Sequence, residues 1–151
     1  MSERIDFSQV APAGMKALGA VYSYVSQSGL AHELVELVFL RVSQINGCAY
    51  CIDMHTKALH TAGLSWEKIV LTQVWQESGT LFSAREKAAL AWAESLTLIA
   101  SQGAPDALYA PLSDQFSEKE IIDLTIAIGL MNTYNRLAIS TRKLPDSAPR
   151  N

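Results

Sequence analysis

A chain of 151 residues is the size of one ordinary domain, long enough to bury a core without disulfide or metal staples. Its formal net charge is -3 and no Lys/Arg cluster occurs, so the electrostatic footprint of phosphate-backbone binding is missing and nucleic acid is not an expected partner. Apolar residues make up 49% of the chain and charged residues 18%, which leaves apolar surface on a folded monomer and leads us to expect an oligomer.

From Met1 to Val10 charges are mixed with apolar residues, with neither a basic start nor an apolar core segment, so a secretory signal is not expected and the chain reads as cytosolic. Helical periodicity begins after Pro12 and runs to about Ser26, with Met15, Leu18, Val21, Tyr22 and Val25 on one face. The "SGL" stretch from Ser28 to Leu30 separates this helix from the next. Between Ala31 and Ile45 the pattern is apolar almost all round, with Leu34, Val35, Leu37, Val38, Phe39, Leu40 and Val42, so this helix should be buried on more than one side. Asn46-Gly47 stops it.

A further helix is expected from Cys48 to Ala62, with Gly63 as its stop and Ser65 capping a short following segment. In "FSARE", Ser83 and Glu86 form a capping box that opens a helix to about Leu98 carrying Leu90, Ala93 and Leu96. In "FSEKE", Ser117 and Glu120 repeat the device and open a last long helix towards Thr141. Within it "IAIGLM", Ile126 to Met131, falls far short of the roughly 20 residues a membrane span needs, so no membrane association is expected. Pro145 and Pro149 place the C-terminus in a frayed tail. No run alternates with period two and the loops are short. The expected fold is all-α, a compact multi-helix bundle forming one domain over residues 1–151.

The stretch "NGCAYCIDMHTKALH", Asn46 to His60, holds both cysteines and two of the three histidines. On a helix, cysteines at i and i+3 share a face with Cα atoms about 5 to 6 Å apart, within the span a disulfide closes. His55 lies one turn beyond Cys51, where an imidazole can take a thiol proton. The helix N-terminus favours a thiolate at Cys48, while proximity to the base favours Cys51, and these residues alone do not choose between them. Two rival readings use the same positions. Cys48 and Cys51 could be a chance pair of small buried residues beside a core histidine, or Cys48, Cys51, His55 and His60 could hold zinc. Zinc is the weaker rival, because His60 is rotated well away from the other three on a continuous helix. Asp53 and Lys57 form an i,i+4 pair and read as a solvated face. His60 reads as a surface or interface residue and His32 as flanking a helix. Glu36, on a mostly apolar helix, needs a partner unless it joins Glu33 on a narrow exposed stripe.

Together these residues resemble the alkylhydroperoxidase D family, part of the carboxymuconolactone decarboxylase-like superfamily of all-α proteins. The family pattern is a glutamate, eleven residues, C-x-x-C, three residues and a histidine; here Glu36 is followed by eleven residues to Cys48, and "CAYCIDMH" completes the pattern through His55. The match is strong from about Glu33 to Gly63, and "FSAREKAALAWAESLT" adds weaker support. One departure is Tyr50, where the best-known members carry a second histidine directly before the second cysteine; a tyrosine hydroxyl donates a hydrogen bond but is a poor base.

The resemblance implies an antioxidant peroxidase in which Cys51 meets the peroxide and becomes a sulfenic acid, Cys48 resolves it as a disulfide, and His55 with Glu36 relays the thiol proton. It implies homotrimers, or hexamers built from them, no metal or flavin, and an external dithiol reductant such as a lipoylated or thioredoxin-like protein. A disulfide reductase or redox sensor would use the same dithiol with a protein partner. Lactone decarboxylation, the activity of relatives without the cysteine pair, has no need of two sulfurs.

Overall fold

The computed structural model describes residues 2–149; Met1 and residues 150–151 of the expected 1–151 domain lie outside the described residues. Nine α-helices and one 3-10 helix, with no strand, are found among the described residues, as the periodicity leads one to expect. They are α1 (Phe7–Val10), α2 (Pro12–Ser26), α3 (His32–Asn46), α4 (Ala49–Thr61), α5 (Trp66–Leu71), a 3-10 helix (Thr72–Glu77), α6 (Ala84–Thr97), α7 (Ile99–Gln102), α8 (Asp106–Ser113) and α9 (Glu118–Thr141).

Helix α3 is the central element because, after the exposed His32 and Glu33, its sequence is apolar almost all round. Leu34, Val35, Leu37, Val38, Phe39, Leu40 and Val42 are all buried, and α3 packs on α4, α6 and α9 at once. Val38, Phe39 and Val42 meet Ala89, Trp92, Leu124, Ile128 and Met131 in one apolar cluster. Leu37 and Leu40 face the other way, into a second cluster with Leu59, Ile69, Trp75, Phe82 and Leu90. A helix apolar on one stripe could support only one of these.

Both expected capping boxes form. The Ser83 hydroxyl accepts from the Glu86 N–H while the Glu86 carboxylate accepts from the Ser83 N–H, and Ser117 and Glu120 do the same at the start of α9. Gly47, with φ 71°, takes the left-handed conformation that ends α3 and turns the chain straight into α4. At this corner a polar clamp ties α3 to α9: Asn135 Nδ2 donates to Ser43 Oγ at 3.0 Å, and Asn46 Nδ2 donates to Asn135 Oδ1 at 2.9 Å.

Two features differ from the sequence expectation. On α2 only Val25 is buried, and Val21 and Tyr22 remain 36% and 40% exposed, because α9 covers just part of that apolar face. Among the described residues the segment after α9 is anchored at Ser147, in place of the expected frayed tail. The Ser147 N–H and hydroxyl donate to the Asp53 carboxylate, which also forms the expected i,i+4 pair with the exposed Lys57. Helix α8 forms although Pro111 lies inside it, near its C-terminal end.

Asp123 is buried on α9, where the Lys119 ammonium bonds it at 2.6 Å and the Tyr24 hydroxyl at 2.7 Å. Burial pushes its carboxyl up, but these two donors outweigh it and hold the group below its ordinary value of 3.8. The folded state therefore binds this proton less readily than the unfolded chain. The resulting stabilisation is complete above pH 4 and is lost as pH falls below it. Asp123→Asn should lower the melting temperature by about 3–6 °C at pH 7. In melts at pH 3 the gap to the parent should narrow, and an equal gap at both pH values would contradict the assignment.

Candidate active site

Cys48 is the N-cap of α4, and its Sγ accepts the Cys51 N–H at 3.3 Å. Cys51 lies in the first turn, and the two sulfurs are joined as a disulfide with Cα atoms 5.4 Å apart, the separation expected for i and i+3 at a helix start. Both residues are buried, at 1% and 2% exposure. They are not equivalent. Cys51 lines a cavity of about 460 Å³, and Cys48 does not.

His55, one turn along α4, and Glu36, on α3, are also buried, at 2% and 3% exposure. The antiparallel packing of the two helices brings Glu36 Oε2 to 2.8 Å from His55 Nδ1. The exposed-stripe alternative for Glu36 is thereby overturned: Glu33 faces solvent and Glu36 points inward, one turn apart on a helix packed from several sides. With Glu36 as a carboxylate, which can only accept, Nδ1 is the donor of this contact, and in a neutral imidazole Nε2 is then the acceptor. That buried Nε2 has no hydrogen-bond partner among the described residues, and His55 and Glu36 both line the cavity beside Cys51. Phe39 packs against the imidazole with ring centres 5.2 Å apart and fixes its plane. The arrangement can do one thing well: an oriented base stands beside a sulfur that faces a cavity.

The sequence-predicted residues Glu36, Cys48, Cys51 and His55 are thus gathered at one place. His60 is not among them. It is exposed and stacks on Trp66 with ring centres 4.1 Å apart, and no group of three or more His, Cys, Asp or Glu side chains able to hold a metal is found among the described residues. His32 opens α3 on the surface.

The far wall was not legible in the motif. Tyr22 from α2, Met131 and Tyr134 from α9, Phe7 from α1 and Lys143 beyond α9 all line the cavity. Burial, with the negative charge of Glu36 behind it, pushes the Tyr22 hydroxyl above its ordinary value of 10.0, and burial with Tyr22 nearby does the same to Tyr134. Both phenols therefore remain neutral donors across the physiological range. Tyr22 carried a faint signal in the sequence, a hydroxyl on an otherwise apolar helix face. Tyr134 and Lys143 carried none, since only the tertiary fold returns the C-terminal end of the chain to α4. Tyr50 lines the same cavity.

Residues 12–95 match the sequence profile of the carboxymuconolactone decarboxylase family. The chain is 39% identical over 140 residues to the uncharacterised protein YdfG of Bacillus subtilis, covering 93% of this chain and 95% of that one. Among solved structures it is similar to ATU0492 of Agrobacterium tumefaciens, a protein of unknown function named as a candidate antioxidant defence protein AhpD. The TM-score is 0.93 at 41% identity, over 97% of this chain and all of that one. The debrominase Bmp8 shares the fold at 20% identity, with a TM-score of 0.77 over 92% of this chain and 74% of that one. No helix among the described residues is long and apolar enough to cross a membrane. The chain belongs to the carboxymuconolactone decarboxylase family, among its AhpD-like members.

Proposed function

We propose that this protein is an antioxidant thiol peroxidase that reduces organic hydroperoxides through the Cys48–Cys51 dithiol. The observation that carries the reading is the placement of Cys51, and not Cys48, on the wall of a cavity shared with the oriented His55–Glu36 pair. In the reduced protein His55 Nε2 takes the Cys51 thiol proton. The thiolate attacks the terminal oxygen of the hydroperoxide, the O–O bond breaks, and the departing alkoxide takes a proton and leaves as the alcohol. Cys51 is now a sulfenic acid. Cys48 attacks its sulfur, water departs, and the disulfide forms. Two electrons from an external dithiol restore both thiols.

The burial of both sulfurs bears on that reductant. A thioredoxin-like face presses a shallow surface groove onto its target and would need an exposed sulfur. A slender dithiol such as a lipoyl arm can pass along the cavity to Cys51. The same burial weighs against a general protein disulfide reductase, whose substrates are bulky. The debrominase relative shows that the fold alone does not choose the substrate. Exposed Val21, Tyr22 and Tyr24 along α2 support a homo-oligomer, trimeric or hexameric, as the state in which the protein works.

Steady-state kinetics test the proposal. With dihydrolipoamide as reductant, cumene hydroperoxide should be consumed and the alcohol and oxidised dithiol formed in equal amounts. Dithiol oxidation at the rate of a protein-free control would contradict it.

A further inference from the structure

Among the described residues Lys143 is the one ammonium that lines the active-site cavity, and its position is built rather than incidental. Helix α9 ends at Arg142 with φ 59°, a left-handed conformation that a non-glycine residue adopts at a cost. The Lys143 N–H then closes back on the Ala138 carbonyl at 2.9 Å. This hydrogen-bonded reversal is the device with which glycine usually ends a helix, and here it turns the residue after the bend towards α4. The Lys143 ammonium lies over two aromatic faces, Phe7 at 5.6 Å and Tyr50 at 5.3 Å from the ring centres. Its side chain is 28% exposed, although a lysine left to itself extends into water. It pairs with Glu3 at 3.8 Å, 41% exposed, a loose contact that an incoming anion can replace.

The rest of the cavity sharpens the contrast. Among the described residues the other acidic or basic wall group besides His55 is Glu36, already engaged by His55 and hostile to a second anion. Met15, Met54, Met131 and Ala138 add apolar surface to the lining. The volume of about 460 Å³ suits one small organic molecule.

We propose that Lys143 is a specificity-determining residue that binds the carboxylate of an amphipathic substrate, so that the preferred hydroperoxides have an apolar body with a carboxylate at the end away from the peroxide. The proposal rests on the peroxidase reading for the word hydroperoxide, but the anion site itself does not. A neutral hydroperoxide gains nothing from Lys143. A carboxylated one gains a charge-assisted contact and is oriented with its peroxide towards Cys51 and His55.

The probes are 4-isopropylbenzoate and its methyl ester, titrated against the full-length oxidised protein by calorimetry, where no turnover occurs. The acid should bind about tenfold more tightly than the ester. Lys143→Gln should erase that preference, Lys143→Arg should keep most of it, and Lys143→Glu should transfer it to 4-isopropylbenzylamine. A role confined to pinning the N-terminal segment cannot produce that inversion. In turnover, the ratio of kcat/KM for 4-carboxycumene hydroperoxide to that for cumene hydroperoxide should fall about tenfold in Lys143→Gln. Equal binding of acid and ester to the parent, or equal losses for both in Lys143→Gln, would overturn the site. Acid-selective binding without any hydroperoxide turnover would uphold the site and overturn the peroxidase reading. Turnover with no preference for the acid would overturn the site alone.

Discussion

Cys51→Ser should lower hydroperoxide turnover by about a thousandfold or more, while Cys48→Ser should still consume one equivalent of hydroperoxide per chain and then stop. The two sulfurs have opposing claims. Cys48 sits at the N-cap of α4, where unpaired N–H groups favour a thiolate and one of them, from Cys51, already points at its sulfur. Cys51 lacks that place but has the cavity and the base. Access decides, because a thiolate that no peroxide can reach reacts with nothing but its neighbour. The stabilised thiolate at Cys48 is then suited to the resolving step, and it also makes Cys48 a good leaving group when a reductant attacks Cys51. After peroxide, dimedone should label Cys51 in the Cys48→Ser protein. Labelling of Cys48 in the Cys51→Ser protein instead would exchange the two roles.

His55→Phe should slow Cys51 alkylation and hydroperoxide turnover near neutral pH by about 10²- to 10⁴-fold, the range for loss of a positioned base. The same change strands the Glu36 carboxylate in a buried site, which costs about 3–5 kcal/mol and confounds activity with stability. Glu36→Gln separates them. It keeps the shape and an oxygen that can accept from Nδ1, removes the charge that stabilises the imidazolium, and should reduce turnover about 10- to 100-fold with little change in melting temperature. The double variant His55→Phe/Glu36→Gln should regain much of the stability lost in His55→Phe and none of its activity, a coupling that a double-mutant cycle measures directly. If Glu36→Gln turns over at the parental rate, Glu36 is a packing partner of the histidine and the relay ends at His55.

What could be read from the sequence was local. Ser83 with Glu86 and Ser117 with Glu120 announced α6 and α9 because a capping box satisfies backbone donors within one turn of chain. Gly47 announced the turn that makes Cys48 an N-cap because few other residues take φ 71° without strain. Glu36, Cys48, Cys51 and His55 could be grouped through the resemblance, but their contact depends on the packing of α3 on α4, which spacing alone does not give. Short helices were missed for a physical reason: α1 and α7 have four residues each, too few for any periodicity to show, and Pro111 hid α8 by occupying a position where proline usually breaks a helix.

Burial along α2 misled in the other direction. Its apolar spacing is genuine, yet only Val25 reaches the core, because one helix face can be apolar for a cavity or a neighbouring copy as well as for the interior. Met15 and Tyr22 on that face line the cavity. Lys143 is the clearest case of a residue with no sequence signal at all. A lysine shortly before a proline, near the end of the chain, reads as solvated until the bend at Arg142 turns it over Phe7 and Tyr50.

The most direct test is a mass measurement on fully reduced, full-length protein before and after one equivalent of cumene hydroperoxide. Rapid loss of about two mass units, from closure of one disulfide, with cumyl alcohol formed in equal amount and both thiols recovered by dihydrolipoamide, is the result expected of a peroxidase acting through Cys51 and Cys48. Thiols that remain reduced and alkylatable after the peroxide, or a mass loss without formation of the alcohol, would contradict it.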